Sequence, residues 1–307
     1  MVSFWQKNKK RVTIRAWYFD PRFNGEIGLR PIYISNMTKN LDESGFKSIV
    51  NSYDLFFIDI WGVVHNGINL QDNTIEVLEN LSNLNKEFVL LTNAPRPNVT
   101  VINFLKKMGL NNKFFENVFT SGEAALKYLI KDLKSKKFFH IGPPRDFDLF
   151  KSFEKSKVLN IKDADYLLCS GLFDDHEDLN YYKSLFFDHI SKKMICTNPD
   201  LIVDRGDKRE YCAGSIAKIF EDIKGEVIYF GKPYPPVYNL SSDTKNKRTL
   251  CIGDNLNTDI RGANIQNYDS LLITSGIHRQ EISKFKLNNV IKKYSAKVDY
   301  FQTNLKW

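Results

Sequence analysis

The sequence predicts an α/β fold in which the strands of the main sheet are parallel. Short apolar runs such as Leu55–Ile58 and Phe88–Leu91 are typical of strands that are buried on both faces. Between these runs, Ile75, Leu78 and Leu81 recur near helical spacing. A strand, a helix and a second strand in this order form a β-α-β unit, which implies parallel strands.

The same alternation continues along the first half of the chain. Residues 101–108 carry a helical pattern that ends at Gly109, a residue suited to the backbone conformation that closes a helix. Val118–Phe119 then predicts a third strand. Thr120 and Glu123 have the spacing of a capping box, which predicts that the next helix begins there.

A separate α/β insertion is predicted after the polar stretch Lys134–Lys137. Its predicted strands are Phe138–Ile141, Tyr166–Cys169 and Met194–Cys196, and Asn198–Asp200 is predicted to be a turn. The main domain then resumes with a helix at Ile216–Ile223 and strands at Val227–Phe230, Leu250–Ile252 and Leu271–Ile273, and a last apolar segment lies near Val298–Phe301. We therefore expect residues 37–135 and 211–307 to form the main domain, with residues 136–210 inserted between them.

Composition narrows the class of protein. The 307 residues have a net charge of +8, but the basic residues form no stripe with interleaved aromatics, which argues against a nucleic-acid partner. No apolar stretch approaches the roughly 20 residues needed to cross a bilayer, so we expect no membrane association. Four cysteines without C-x-x-C spacing suggest a reducing compartment, and we expect a cytoplasmic protein.

Residues 1–36 form a basic leader that differs from the rest of the chain. Lysine and arginine far outnumber Asp20 and Glu26 there, and neither a helical nor a strand period is sustained. This composition fits either a targeting segment or an over-extended start before an initiator at Met37.

Polar side chains follow the predicted strands of the main domain at the point where each strand ends. In chain order these are Asp59, Thr92 with Asn93, Lys232, and the pair Asp254 and Asp259. Because parallel strands place their carboxyl ends at one edge of a sheet, we expect these side chains to lie together. Gly62 would allow the tight turn that follows the first of these strands.

This set resembles the haloacid dehalogenase superfamily. The stretches T-N-A-P-R-P, T-N-P-D, F-G-K-P-Y-P-P and I-G-D-N-L-N-T-D-I-R-G-A are similar to those of its class IIA members, the NagD-type phosphatases. The resemblance covers roughly Met37 to Phe301. It implies a Rossmann-like parallel-sheet core and an inserted α/β cap of the C2 type, which is expected to set substrate specificity through residues 140–146, 170–175 and 197–200.

The resemblance also implies a role for each residue. Asp59 would attack phosphorus and form an aspartyl-phosphate, while Lys232 and Thr92 balance and hold the phosphate. Mg²⁺ would bind to Asp59, the backbone carbonyl of Trp61 and Asp254. Asp259 would orient the metal-bound waters or the lysine. Asn93, Trp61, His65 and Asp200 are further candidates for contact with the phosphate or the substrate.

Trp61 departs from the family pattern. Members usually read D-x-D-G, where the second aspartate protonates the leaving group, but this chain reads Asp59-Ile60-Trp61-Gly62. One alternative is that His65 replaces the missing acid, and another is that the cap supplies a proton through Asp200 or His140. Alternatively, the substrate has a good leaving group, or the protein binds its ligand without rapid turnover. The indole could also stack on a ring or wall the pocket.

The sequence thus predicts a Mg²⁺-dependent hydrolase that acts on a small phosphorylated metabolite. A phosphometabolite-binding protein with weak catalysis is the alternative. A dehalogenase-type hydrolase ranks third, because that reaction needs no Mg²⁺ and leaves the Asp254 and Asp259 pair without a purpose. Whether the protein is a homo-oligomer stays open.

Overall fold

A computed structural model describes residues 38–205 and 208–307, together with the backbone of two short strands nearer the start. The chain divides into two compact units, Met1–Thr38 and Lys39–Trp307. In the first unit, β1 (Ile14–Arg15) pairs antiparallel with β2 (Pro31–Ile32). The remainder of the basic leader lies outside the described residues.

The main sheet has seven strands. They are β3 (Lys39–Asn40), β4 (Leu55–Asp59), β5 (Glu87–Thr92), β6 (Val118–Thr120), β13 (Thr249–Gly253), β14 (Asp269–Ile273) and β15 (Tyr300–Gln302). Their order in the sheet is β3-β15-β14-β13-β4-β5-β6, and each neighbouring pair is parallel. The predicted parallel core is therefore confirmed, and β4 lies between β13 and β5 near its centre.

Strand β4 is buried on both faces, as its apolar run predicts. Phe56 and Ile58 pack into one hydrophobic cluster, while Leu55 and Phe57 pack into a second cluster on the other face. Alternate residues of a strand point to opposite faces, so both faces of the sheet need a covering layer of helices.

Nine α-helices are described in this unit. They are α1 (Asp72–Asn83), α2 (Asn98–Lys107), α3 (Ser121–Tyr128), α4 (Leu179–Phe186), α5 (Ala213–Asp222), α6 (Pro235–Ser241), α7 (Arg261–Gln266), α8 (Arg279–Phe285) and α9 (Leu287–Lys293). The Thr120 hydroxyl accepts from the Glu123 N–H at 2.9 Å, so this half of the predicted capping box is present. The Glu123 carboxylate instead accepts from the Asn98 N–H at the start of α2. No helix of the described residues is long and apolar enough to cross a membrane.

A second sheet of four parallel strands forms the cap. It contains β7 (Phe138–Ile141), β8 (Tyr166–Cys169), β9 (Lys193–Cys196) and β12 (Glu226–Tyr229), in the order β12-β9-β8-β7. The prediction placed Val227–Phe230 in the core, and this assignment is wrong because β12 pairs with β9 of the cap. An apolar run indicates that a strand is buried, but it does not indicate which sheet the strand joins.

An antiparallel hairpin was not predicted. Strands β10 (Ile202–Arg205) and β11 (Lys208–Tyr211) pair with each other and with no other described strand. The many charged residues of this segment hide the period of two that would have indicated strands.

Candidate active site

Asp59 and Lys232 form a buried ion pair at the carboxyl edge of the core sheet. Asp59 is the last residue of β4, and its Oδ1 lies 2.5 Å from Lys232 Nζ. The same ammonium group donates to Asp259 Oδ1 at 2.6 Å and to the Leu91 carbonyl at 3.1 Å. These three bonds use all the N–H groups that an ammonium offers.

Asp254 completes a cluster of three carboxylates. It directly follows β13, the neighbour of β4, and carboxylate oxygens of Asp59, Asp254 and Asp259 lie within 4.8 Å of one another. Asp254 Oδ2 accepts from the Ile277 N–H at 2.8 Å. Each of the three side chains is at least nine-tenths buried. The structure thus brings together the strand ends that the sequence singled out.

Glycines make room for these carboxylates. Gly62 has a φ of +94°, and a Cβ there would lie 2.3 Å from Asp254 Oδ2. A Cβ on Gly276 would lie 2.0 Å from the same oxygen, and one on Gly253 would lie 2.0 Å from the carboxyl carbon of Asp259. The expected tight turn at Gly62 is therefore present, and it also prevents a steric clash with Asp254.

Burial dominates the electrostatics of the cluster. It raises the pKa of Asp59 well above the usual value, against the opposing charge of Lys232. It raises the pKa of Asp254 to about 7, and the charge of Asp259 adds to this increase. Burial alone would lower the pKa of Lys232, but Asp259 and Asp59 raise it above its ordinary value. The Lys232 ammonium therefore bonds to two of the three buried carboxylates.

This arrangement suits a hard divalent cation. Mg²⁺ prefers oxygen ligands, and a second positive charge would lower the pKa values that burial has raised. Asp59 and Asp254 are the carboxylates that would hold it, and Trp61, whose backbone carbonyl was the third predicted ligand, lines the same cavity.

Thr92 and Asn93 follow β5 beside the ion pair. The Thr92 hydroxyl accepts from the Ala94 N–H at 3.2 Å. The Asn93 amide accepts from the Lys232 N–H at 2.7 Å and donates to the Lys232 carbonyl and to Asp200 Oδ1, both at 3.0 Å. The Asn93 side chain thus holds the lysine and the cap residue Asp200 in place, and the predicted contact of Asn93 with the phosphate stays a prediction.

Asp200 is a carboxyl residue of the cap that was predicted to contact the substrate. Burial raises its pKa to about 6, although Lys232 and the Asn93 and Thr258 side chains oppose the increase. It lines the cavity that contains Asp59.

Trp61 connects the loop after β4 to the cap hairpin. Its indole N–H donates to the Asp204 carbonyl of β10 at 2.9 Å. A Cβ on Gly67 would lie 2.9 Å from the Trp61 ring, so the backbone there packs directly against the indole. The hairpin in turn contacts the core through an ion pair of 3.1 Å between Arg279 and Asp204. Sequence reasoning missed this contact because the hairpin itself was not recognised.

The two predicted histidines lie away from the carboxylate cluster. His65 is buried between Trp61 and Phe104 and does not line the cavity that contains Asp59; burial lowers its pKa to about 4. His140 bonds to the Ser170 hydroxyl at 2.8 Å inside the cap and lines a different cavity. Both positions fit side chains that support the fold.

Two adjoining cavities meet at Trp61. The catalytic cavity, of about 390 Å³, contains Asp59 and the rest of the cluster. The cap cavity, of about 480 Å³, lies between the loop after β5 and the cap segments that include residues 143–146, 170–174 and 208–212. Both are lined by Trp61, Thr92, Asn93, Asp200 and Val203. Residues from each of the three cap segments expected to contact substrate line this second space.

A further pair joins core and cap at the cap cavity. Arg96 of the T-N-A-P-R-P stretch donates to Asp146 Oδ1 at 2.7 Å, and Asp146 is almost fully buried. Sequence reasoning missed this pair, because the burial of Asp146 depends on tertiary packing that its neighbours in the sequence do not indicate.

Two family models match the chain. The first, described as haloacid dehalogenase-like hydrolase, matches residues 56–154, and the second, described as HAD-hydrolase-like, matches residues 229–296. Together they span more than half of the chain and lie on either side of most of the cap.

Individual proteins agree with this assignment. Phosphoglycolate phosphatase 2 of Arabidopsis thaliana is 22% identical over 267 residues, covering 77% of this chain and 88% of that protein. A haloacid dehalogenase-like hydrolase from Brucella suis 1330 is 29% identical, with a TM-score of 0.70 over 76% of this chain and 90% of that one. NagD from E. coli K-12, at 19% identity, shares the fold, with a TM-score of 0.61 over 82% of this chain and 97% of that one. The chain belongs to the haloacid dehalogenase superfamily of hydrolases, among its NagD-like class IIA members.

Proposed function

We propose that the protein is a Mg²⁺-dependent phosphatase that acts on a small phosphorylated metabolite through an aspartyl-phosphate on Asp59. The observation that carries this proposal is the position of the Lys232 ammonium, which contacts both Asp59 and Asp259 while Asp254 completes the carboxylate cluster. An anionic nucleophile can approach a phosphate only where positive charge offsets the repulsion between them.

Each residue has a part that follows from its place. Asp59, at the end of a rigid buried strand, would use one carboxylate oxygen to attack phosphorus. The Lys232 ammonium would offset the negative charge of Asp59 and of the phosphate. Asp259 and the Leu91 carbonyl hold this ammonium in position. The Thr92 hydroxyl, which lines the same cavity, would donate to a phosphate oxygen. When bound, Mg²⁺ would supply charge neutralisation between the carboxylates and the phosphate.

The names of similar proteins support this class of substrate. The Arabidopsis relative is named for phosphoglycolate, an alkyl phosphate, so its name supports a small phosphorylated substrate and carries no argument about the leaving group. The catalytic cavity of about 390 Å³ has room for a phosphate and a small organic group. We further propose that the cap extends from about residue 136 to Tyr229 and that the protein works in the cytoplasm, since its four cysteines are all free and buried.

The test is the release of inorganic phosphate from a panel of phosphorylated metabolites. We expect release with Mg²⁺, none with excess EDTA, and none from Asp59→Asn, which keeps the shape of the side chain but removes the nucleophile. Asp54→Asn is the matched control, because Asp54 lies just before the same strand, is exposed and pairs with Arg248. Full activity of Asp59→Asn would contradict the mechanism.

A second candidate is a protein that binds a phosphorylated ligand and turns it over slowly. Trp61 favours it, because an indole cannot exchange protons with a substrate. If no metabolite releases phosphate while Mg²⁺ with beryllium fluoride still forms an adduct on Asp59, this candidate would replace the phosphatase.

A further inference from the structure

We propose that this enzyme selects substrates whose leaving group departs as a stable anion, namely aryl, enol or acyl phosphates, and discriminates against alkyl phosphates. This inference rests on the proposed function and names the substrate class for the same site. It follows from the position of Trp61 and from the commitments of the ionisable groups that surround Asp59.

The Trp61 side chain is held in place by a hydrogen bond and by packing. Its N–H donates to the Asp204 carbonyl at 2.9 Å, and its ring packs against the backbone at Gly67. The Asp204 carboxylate is itself anchored by Arg209 at 2.8 Å and Arg279 at 3.1 Å. The position two residues after the nucleophile is thus occupied by a fixed side chain without a transferable proton.

The ionisable groups that line the catalytic cavity outside the carboxylate cluster already have partners. Lys232 uses its three N–H groups on Asp59, Asp259 and Leu91. The carboxylate of Asp204 accepts from two arginines. Within residues 38–205 and 208–307, no histidine, cysteine or tyrosine lines this cavity.

Asp200 is the remaining carboxyl outside the metal cluster. Its Oδ1 accepts from the Asn93 amide, which also binds both backbone groups of Lys232. The Thr258 side chain also hydrogen-bonds to the Asp200 carboxyl. With partners on both sides, Asp200 serves as an acceptor that fixes the cap to the core.

The first chemical step then divides substrates by leaving group. An Asp59 oxygen forms a bond to phosphorus, the bond from phosphorus to the leaving oxygen breaks, and that oxygen departs with the electron pair and without a proton. A phenolate, enolate or carboxylate accommodates this charge, whereas an alkoxide does not. A positioned acid typically contributes about 10² to 10⁴ in rate, and alkyl phosphates lose this contribution here.

The second step is slowed for every substrate. Water forms a bond to phosphorus, the bond to Asp59 breaks and regenerates its carboxylate, and the proton released goes to solvent because no general base receives it. The aspartyl-phosphate should therefore persist and limit turnover. Rapid release of about one leaving group per enzyme before the steady state is the expected signature.

The cap cavity provides space for such a leaving group. It adjoins the catalytic cavity at Trp61, measures about 480 Å³ and is lined partly by the aromatic rings of Phe173 and Tyr211. A planar aryl group that extends past the indole would meet apolar and aromatic surface there.

The experiment compares phenyl phosphate with cyclohexyl phosphate, which are similar in size but differ greatly in leaving-group basicity. For the unmodified enzyme with Mg²⁺, we expect kcat/KM to be at least about 100-fold higher for phenyl phosphate, and to rise steeply along a series of phenyl phosphates with increasingly acidic phenols. Phenol release should show a burst close to one equivalent.

Trp61→Asp and Trp61→Asn form a matched pair. Both remove the indole and leave side chains of nearly the same shape, but only the aspartate can transfer a proton. Trp61→Asp should raise kcat/KM for cyclohexyl phosphate at least about 10-fold above Trp61→Asn and should abolish the burst. If either variant fails to fold, the phenyl series on the unmodified enzyme decides the question alone.

Equal kcat/KM for the two substrates would overturn the inference. So would a selective loss of cyclohexyl phosphate turnover in Asp200→Asn, because that result would identify Asp200 as the acid. Failure of the proposed function looks different: neither compound, nor 4-nitrophenyl phosphate, would release phosphate in an Asp59-dependent way.

Discussion

At the residue scale, three buried histidines are kept neutral by their surroundings. Burial lowers the pKa of His65 to about 4 and that of His140 to about 3, and it also lowers the pKa of His278. A neutral His65 can accept from the Gly67 N–H at its Nδ1, as it does at 2.9 Å. These side chains therefore stabilise loops in their uncharged form.

His140 makes the protein sensitive to acid. Its folded pKa lies below the unfolded value of 6.5, so its contribution is fully present above about pH 6.5 and is lost as pH falls toward 3. Between pH 7 and 5 this amounts to at most about 2 kcal/mol. We expect His140→Gln, which retains a partner for Ser170, to lose less stability than the unmodified protein over this interval.

The measurement is thermal unfolding of both proteins at pH 7 and pH 5. Comparing the two at each pH cancels the contribution of every other titrating group. The nearby Lys157 adds to the lowered pKa of His140, so Lys157→Gln should reduce the acid sensitivity slightly. If the unmodified protein and His140→Gln lost the same stability between pH 7 and pH 5, protonation of His140 would not destabilise the folded protein, and the prediction would be wrong.

At the scale of single elements, the loop after β4 determines where Asp254 lies. Gly62 and Gly109 both have a φ of +94°, but a Cβ on Gly62 would strike Asp254 while one on Gly109 would meet nothing within 4 Å. Both alanine variants share the cost of a left-handed backbone, about 1–2 kcal/mol. We expect only Gly62→Ala to weaken Mg²⁺ binding, measured by calorimetric titration.

Gly109→Ala is the control for this comparison because it isolates the shared backbone cost. If the two variants bind Mg²⁺ with the same affinity as the unmodified protein, Asp254 tolerates displacement. The glycine at position 62 would then be needed only for the backbone conformation of the turn.

Sequence reasoning worked best for elements with a strong local signal. The short apolar run before Asp59 and the Thr120 cap of α3 could be identified from neighbouring residues alone. The cap strand β12 and the hairpin β10–β11 could not, because sheet membership depends on long-range pairing and because charged residues interrupt the hairpin's pattern. The burial of His65 was hidden from the sequence for a related reason, since it depends on Phe104 in a distant helix.

At the scale of the whole molecule, Mg²⁺ should link stability to pH. Burial raises the pKa of Asp254 to about 7, so in the metal-free protein its contribution to stability is present at low pH and is lost as pH rises through about 7. Mg²⁺ binds the ionised carboxylate and should offset this loss. We expect the increase in Tm on adding Mg²⁺ to be larger at pH 8 than at pH 6.

A saturating ligand at 100 times its Kd adds about 2.7 kcal/mol, which is readily measured by differential scanning fluorimetry. Asp254→Asn should remove most of the response to Mg²⁺ at both pH values. A Tm that responds equally to Mg²⁺ in Asp254→Asn would place the ion elsewhere.

The path of the chain from cap to core has a mechanical consequence. Strand β12 ends at Tyr229, the Phe230 N–H bonds to the Cys196 carbonyl of the cap at 2.9 Å, and Lys232 follows after a single glycine. A ligand that tilts the cap would pull on this short tether and shift the ammonium group at its far end. The reactivity of Asp59 would then respond to a ligand that binds to the cap without contacting Asp59.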